Sequence, residues 1–464
     1  MTIWRPDLEK HAGPVYRQIS DAIGKDISSG KLVVGDRLPV QRDLAYTLGI
    51  SLNTVSRAYA DATTRGYLQG EVGRGTWVRA AGAFPVQSPQ TDLIRRATGP
   101  IDFSLNLPVP GMATKALAQT LATLNNASNL SVFLDDQTQG DQKQHTIAGA
   151  KWLSRVGLEA DPENIILTTG AQQGIMVAML ATMRPGDVML TEALTYGPIK
   201  ALAQHLGIKI IPVGIDEGGL SAEDLDAVCQ RVAAKTLYCM PTLHTPTTTT
   251  MSAERREAVT SIARKHDLLI IEDDVFGFLP VKRPLPLASF APERTIYITS
   301  VSKSLAPGLR VGYLHAPDHY TNALRAAVNI SCWMPPPLMA DIASKWIDNG
   351  TADSLSEYQR SEATVRQSLA RQILPEKYLK AEPNGFHLWL DLPSGWHADT
   401  FRTVAEQQGV KVLTAEIFSV DQTNSPPAIR LCLSHEASRE RVTKGLQIIA
   451  NILSEPRDPG AFIL

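Results

Sequence analysis

Apolar positions near the start of the chain recur at helical spacing. Val15, Ile19, Ala22, Ile23 and Ile27 fall on one face, and Gly30 follows as a stop. The turn Gly35-Asp36-Arg37-Leu38-Pro39 leads into a second predicted helix, Gln41 to Leu48, closed by Gly49. A third begins after Ser51, a suitable N-cap, and runs through Asn53, Thr54, Val55, Arg57, Ala58, Tyr59 and Ala62 to Gly66. Two short helices about a glycine turn form a helix-turn-helix pattern, in which the start of the second helix enters the major groove. Ser51, Asn53, Thr54 and Arg57 there carry side chains suited to base edges and phosphates. The run Tyr67–Val78 then reads as a hairpin, turned by Gly73 and Gly75 with Arg74 at its tip. A basic hairpin beside a helix-turn-helix is a wing that can touch the DNA backbone or minor groove. On periodicity alone the segment is equally a three-helix interaction module with a solvated polar face.

Residues 81–99 show no sustained period and are rich in Pro, Ser and Gln, so they read as a linker between a first domain, 1–80, and a second, 100–464. In the second, strand-like apolar runs alternate with amphipathic helices, the mark of an α/β sheet. Predicted strands are 165–168, 188–190, 208–213, 236–240, 268–271 and 295–299, with a helix over 174–182.

Length and composition add limits. The 464 residues exceed one ordinary core, and 44% hydrophobic with 20% charged residues describes a folded globular chain. The four cysteines, Cys229, Cys239, Cys332 and Cys432, have no paired short spacing, which argues against a zinc site or a disulfide framework. The first residues show no apolar leader, and the longest apolar stretch, 174–183, is too short to span a bilayer. A cytoplasmic protein with no membrane partner and no metal is the expectation. Net charge is −2, but residues 1–80 hold 11 of the 45 Lys+Arg and 8 of the 47 Asp+Glu. A basic head on an acidic body is weak support for nucleic-acid binding.

Candidate chemistry centres on Ser300-Val301-Ser302-Lys303-Ser304, which follows a strand and precedes a Pro-Gly turn and Arg310. A primary amine beside small hydroxyls and a guanidinium suits a ligand with both an aldehyde and a phosphate, as in pyridoxal 5′-phosphate (PLP). A solvated lysine in a surface turn is the plain alternative. Thr169-Gly170-Ala171-Gln172 opens a helix after a strand, where backbone amides can hold a phosphate, although ordinary strand-to-helix turns look the same. Tyr196 lies just past a strand, placed to stack on a ring or merely to pack. Asp273 ends an apolar strand, where a buried carboxylate would keep a pyridine nitrogen protonated. Arg430 sits inside the strand 429–433, which suggests capture of a carboxylate or else an internal ion pair.

The head resembles the winged helix-turn-helix of GntR-type bacterial repressors in Gly35–Pro39, Arg42-Asp43-Leu44-Ala45, Thr54–Tyr59 and Gly73–Thr76. That resemblance implies that Arg42, Arg57 and Arg74 contact DNA, with Asn53 and Thr54 near base edges; Arg37 could equally serve the fold. From about residue 100 to 460 the order of motifs resembles fold-type I PLP-dependent aminotransferases, an α/β domain with a smaller C-terminal α+β subdomain. The whole chain resembles MocR-type regulators, in which that fold is a sensor. By resemblance, Lys303 would form the Schiff base, Asp273 would pair with the pyridine nitrogen and Tyr196 would stack on the ring. Ala171, Gln172, Ser300, Ser302 and Arg310 would surround the phosphate, and Arg430 would hold the carboxylate of an amino-acid or amine effector. The family also implies a head-to-tail homodimer bound to promoter DNA.

The chain departs from the aminotransferase pattern in two places. Thr245 stands where an asparagine would bond the cofactor's phenolic oxygen, and Phe276 where a tyrosine hydroxyl would do so. The segment 134–137 also lacks the tyrosine common near the phosphate. These changes favour ligand sensing over efficient transamination, with a working aminotransferase carrying a DNA-binding attachment as the alternative.

Overall fold

The computed structural model describes residues 4–6, 8, 14–33, 35–65, 67–71, 75–78, 99–125, 130–137 and 142–454. It divides into two compact units, Met1–Thr91 and Asp92–Leu464. Arg74 and residues 81–98, for which a wing tip and a linker were expected, lie outside the described residues.

The first unit holds helices α1 (Val15–Ser28), α2 (Gln41–Leu48) and α3 (Leu52–Thr64), then strands β1 (Leu68–Glu71) and β2 (Gly75–Val78). Ile19, Ile23, Leu44, Val55, Ala58, Leu68 and Val78 make its core. Val15, expected on the buried stripe of α1, is exposed, and Ile27 is half-buried. Gly49 ends α2 in the left-handed region (φ 66°), and the Ser51 hydroxyl accepts the Thr54 amide at 3.1 Å to start α3. These two caps set the tight turn between the helices. β1 and β2 pair antiparallel, Leu68 opposite Val78 and Glu71 opposite Gly75.

The second unit is built on a seven-stranded sheet. Its strands are β3 (Ile165–Thr168), β4 (Val188–Glu192), β5 (Lys209–Val213), β6 (Thr236–Cys239), β7 (Leu269–Asp273), β8 (Thr295–Ser300) and β9 (Gly312–His315). The spatial order is β3-β9-β8-β7-β6-β4-β5, parallel throughout except for β9, which runs antiparallel to both neighbours. Every residue of β3, β6, β7 and β8 is buried, as expected for strands covered on both faces. Ile296, Ile298 and Leu314 pack on one face, Tyr297, Tyr313 and Leu167 on the other.

A four-stranded antiparallel sheet follows, formed by β10 (Leu379–Ala381), β11 (His387–Asp391), β12 (Leu413–Thr414) and β13 (Ala428–Cys432) in the order β10-β11-β13-β12. The segment before the large sheet is tied to this subdomain, because Ile101–Asp102 pairs parallel with Val410–Lys411. Residues 103–106 therefore leave the small subdomain along the cleft between the two sheets. Among the described residues no helix is long and apolar enough to cross a membrane.

Candidate functional site

In open α/β sheets ligands bind beyond the carboxyl ends of the strands. At that edge the structure collects Thr169–Gln172 after β3, Tyr196 after β4, Thr245 after β6, Asp273 at the end of β7, and Ser302 and Lys303 after β8. Arg310 enters from the turn before β9 and Arg430 from β13.

The first turn is a cradle. Gly170 has φ 97°, and helix Ala171–Thr182 starts directly after it, three residues earlier than its apolar period suggested. A Cβ at Gly170 would lie 2.8 Å from an Arg310 guanidinium nitrogen, so only glycine lets the arginine lie against this backbone. Arg310 donates to the Thr169 carbonyl at 2.9 Å and itself takes φ 51°. Gly312 completes the fit, since a Cβ there would meet Thr168 Oγ1 at 2.5 Å and the Gly170 backbone at 2.8 Å. The amides at a helix start, beside a guanidinium, make an anion site. A cavity of about 330 Å³ opens there, lined by Thr169, Gln172, Tyr196, Arg310, Ser331 and Cys332 among others.

Asp273 is buried at the floor. Its Oδ2 accepts the Tyr238 hydroxyl at 2.8 Å, whereas Oδ1 has no hydrogen bond of good geometry, the Val275 amide lying only near enough to favour the charge. Burial pushes its carboxyl up to about 6, against the stabilising bond from Tyr238. An unpaired buried carboxylate oxygen calls for a cation or an N–H donor. Tyr238 was read only as part of a strand, because a tyrosine in an apolar run looks like core.

Lys303 is partly buried, and burial lowers its ammonium to about 8, opposed by Cys432 and Asp273. Its Nζ donates to the Asn106 carbonyl and lies 6.0 Å from the centre of the Phe276 ring. The Ser302 hydroxyl is buried without a partner. Tyr196 is pushed up to about 12 by burial, with Asp273 adding to the shift and Arg310 and Arg430 opposing it, and it lines the cavity with Arg310. Ser300 and Thr245 are buried. Arg430 donates to the Ser104 carbonyl at 2.6 Å, and its guanidinium lies 4.8 Å from the centre of the Phe418 ring. Its Nε has no hydrogen bond of good geometry, the Cys432 thiol lies beside the guanidinium, and no acidic side chain pairs with it among the described residues, so the internal ion pair is not its explanation. Phe276 is buried against Phe386 and His387. Its ring gives the cleft an apolar wall where a hydroxyl was absent from the sequence.

The set could hold a ligand with an anion at the Gly170 turn, a cationic ring nitrogen at Asp273, and an electrophilic carbon within reach of Lys303. A carboxylate would then meet Arg430.

In the first unit Arg42, Ser51, Asn53 and Arg57 are exposed and Thr54 is half-buried. The Ser51 and Thr54 hydroxyls bond each other at 2.8 Å, so the cap occupies both. Arg57 stacks over Tyr16 at 4.1 Å from the ring centre, which orients its guanidinium. Arg37 lies 5.8 Å from the centre of the Trp77 ring and faces that residue across a short antiparallel bridge, whose bonds run from the Leu38 amide to the Thr76 carbonyl and from the Val78 amide to the Asp36 carbonyl.

Residues 102–449 match the family model of aminotransferase class I and II, and residues 15–78 that of bacterial regulatory proteins of the gntR family. The chain is 30% identical over 457 residues to the HTH-type transcriptional regulator YdeF of Bacillus subtilis (strain 168), covering 97% of each. It is 28% identical over 439 residues to the HTH-type transcriptional regulator TauR of Rhodobacter capsulatus, covering 88% of this chain and 90% of that one. With the probable rhizopine catabolism regulatory protein MocR of Rhizobium meliloti it shares 24% over 360 residues, 73% of this chain and 72% of that one. An archaeal alanine:glyoxylate aminotransferase superposes with a TM-score of 0.72 at 23% identity, over 84% of this chain and 97% of its own, a likeness of fold. A gntR-type head covering residues 15–78, an aminotransferase fold over most of the remainder, and end-to-end similarity to HTH-type regulators place this chain in the MocR-type family.

Proposed function

We propose that this chain is a transcriptional regulator that binds promoter DNA through its head and senses an amino acid or amine through PLP held in its aminotransferase-like domain. The observation that carries the reading is the convergence of Lys303, the orphan oxygen of Asp273 and the Arg310–Gly170 cradle at one strand edge. In it, Lys303 attaches the cofactor, Asp273 holds the ring nitrogen, and Tyr196 covers the ring. Ala171, Gln172, Ser300, Ser302 and Arg310 take the phosphate, and Arg430 takes the effector's carboxylate. When bound, PLP supplies an electrophilic carbon that exchanges one amine for another.

Two residues favour sensing over turnover. Phe276 cannot donate to the phenolic oxygen, and Thr245 offers one hydroxyl where the aminotransferase pattern has an asparagine. Incubation with amino donors and 2-oxo acids should yield no multiple-turnover keto-acid product. Sustained turnover would favour an aminotransferase with a DNA-binding attachment.

The reading includes a cytoplasmic head-to-tail homodimer that presents two heads to repeated half-sites. Arg42, Asn53, Arg57 and Arg74 are the proposed DNA contacts, with Ser51 and Thr54 setting the start of the reading helix. Arg42→Ala and Arg57→Ala should each lower promoter affinity roughly tenfold and reduce the slope against salt by about one. Unchanged binding by the double variant at moderate salt would make the head a dimerisation module instead.

A further inference from the structure

A chain of hydrogen bonds behind Lys303 ends in an acceptor that has no donor. His387, on β11, brings Nε2 to 3.2 Å from the backbone carbonyl of His244. A carbonyl only accepts, so Nε2 carries the hydrogen. The ring is buried and neutral, its ionisation pushed down to about 3 by burial and by Arg430. Its Nδ1 is therefore a bare lone pair, and it faces the side-chain nitrogen of Asn106 at 3.2 Å. This orients the amide: Nδ2 donates to His387, and Oδ1 points elsewhere. That oxygen is buried and has no partner.

The surroundings of Asn106 locate this acceptor. Its own backbone carbonyl takes the Lys303 ammonium, and two residues earlier the Ser104 carbonyl takes Arg430. Phe276 is 5.7 Å from the His387 ring, centre to centre. Asn106 thus lies beside the amine and two residues from the carbonyl that takes the guanidinium. A buried carbonyl oxygen without a donor costs stability, so its place is explained if a ligand supplies the donor.

We propose that Asn106 reads the effector: its side-chain oxygen accepts a hydrogen bond from a hydroxyl or N–H group on the amino acid whose carboxylate Arg430 holds, and His387 fixes the amide in that orientation. The inference rests on the amino-acid reading given above and narrows it to polar amino acids that carry a side-chain donor. Asn106 acts by contact and His387 by positioning.

The test uses the full-length, PLP-loaded protein and three pairs of probes: L-serine with L-alanine, L-threonine with L-valine, and L-glutamine with L-methionine. The readout is the concentration that half-saturates the change in visible absorption. In at least one pair the donor-bearing member should act at about tenfold lower concentration, the worth of one neutral hydrogen bond to an otherwise orphaned group. In Asn106→Leu that ratio should fall to near one. His387→Phe, which leaves Asn106 in place but frees its amide to turn, should lower it in part. Arg430→Leu should weaken both members equally and keep the ratio.

If no pair discriminates in the wild type, or the ratio survives Asn106→Leu, the role of Asn106 is overturned while the sensor reading stands. The same holds if Asn106→Leu alters only the resting spectrum, which would assign the residue to Lys303 alone. If no amino acid perturbs the wild-type spectrum, the amino-acid reading falls and this inference with it.

Discussion

Lys303→Ala should form no borohydride-reducible link to PLP and should lack the absorption of that link, and the cofactor-free variant should be no less stable than the wild type at neutral pH. Burial lowers the ammonium to about 8, so the folded protein holds this charge less willingly than the unfolded chain does. A lysine whose folded pKa is depressed destabilises below that pKa, and the penalty fades between pH 8 and the unfolded value near 10.5. The cofactor-free wild type should therefore gain stability across that window, by at most about 3 kcal/mol, with water in the cleft reducing the gain. Lys303→Met keeps the packing of the stem and removes the charge, so it should lose that pH dependence. Thermal unfolding at pH 7 and pH 10 measures both effects. A borohydride-reducible link to PLP retained in Lys303→Ala would show that another amine carries the cofactor.

Asp273→Ala should weaken PLP binding more than a hundredfold, the effect of about 3 kcal/mol expected when one partner of a buried charged pair is removed. The substitution also strands the Tyr238 hydroxyl, which now donates to Oδ2. Asp273→Asn preserves the shape and an acceptor for Tyr238, yet cannot balance a cationic ring nitrogen, so it should fall nearly as far. The pH dependence has the opposite sense to that of Lys303. A carboxyl raised from 3.8 to about 6 contributes stability below the unfolded value, and that contribution is lost as pH rises through 6. Without cofactor the protein should thus weaken between pH 4 and pH 6.5. With PLP bound the carboxylate gains its cation and the loss should shrink. Equilibrium dialysis of PLP and unfolding with and without cofactor test the two parts.

Much of this arrangement was legible because charged residues in apolar runs are costly and so stand out. Lys303, Asp273 and Arg430 each interrupt or end a strand-like run, and the structure brings all three to one cleft. The head was legible for a different reason. Its caps at Gly49 and Ser51 are local, and α2 begins and ends where the sequence places it. Asn106 and His387 were not legible, since their contact joins positions 281 residues apart and neither has a local signature. Tyr238 was hidden by its own chemistry, an aromatic ring in a buried strand whose hydroxyl matters only beside Asp273. The early start of the helix after β3 escaped the apolar period because Gly170 and the backbone set it. Gly174 within it, far from breaking the helix, lets it approach Ile298 closely.

The central claim is that chemistry at Lys303 governs the head. Its most direct test is the affinity of PLP-loaded protein for its promoter fragment at fixed salt, with and without an amino acid that perturbs the visible spectrum. Wild type should shift by roughly fivefold or more, the usual scale of coupling between two sites, and Lys303→Ala should bind the fragment without responding. A Lys303→Ala protein that responds as fully as the wild type would contradict it.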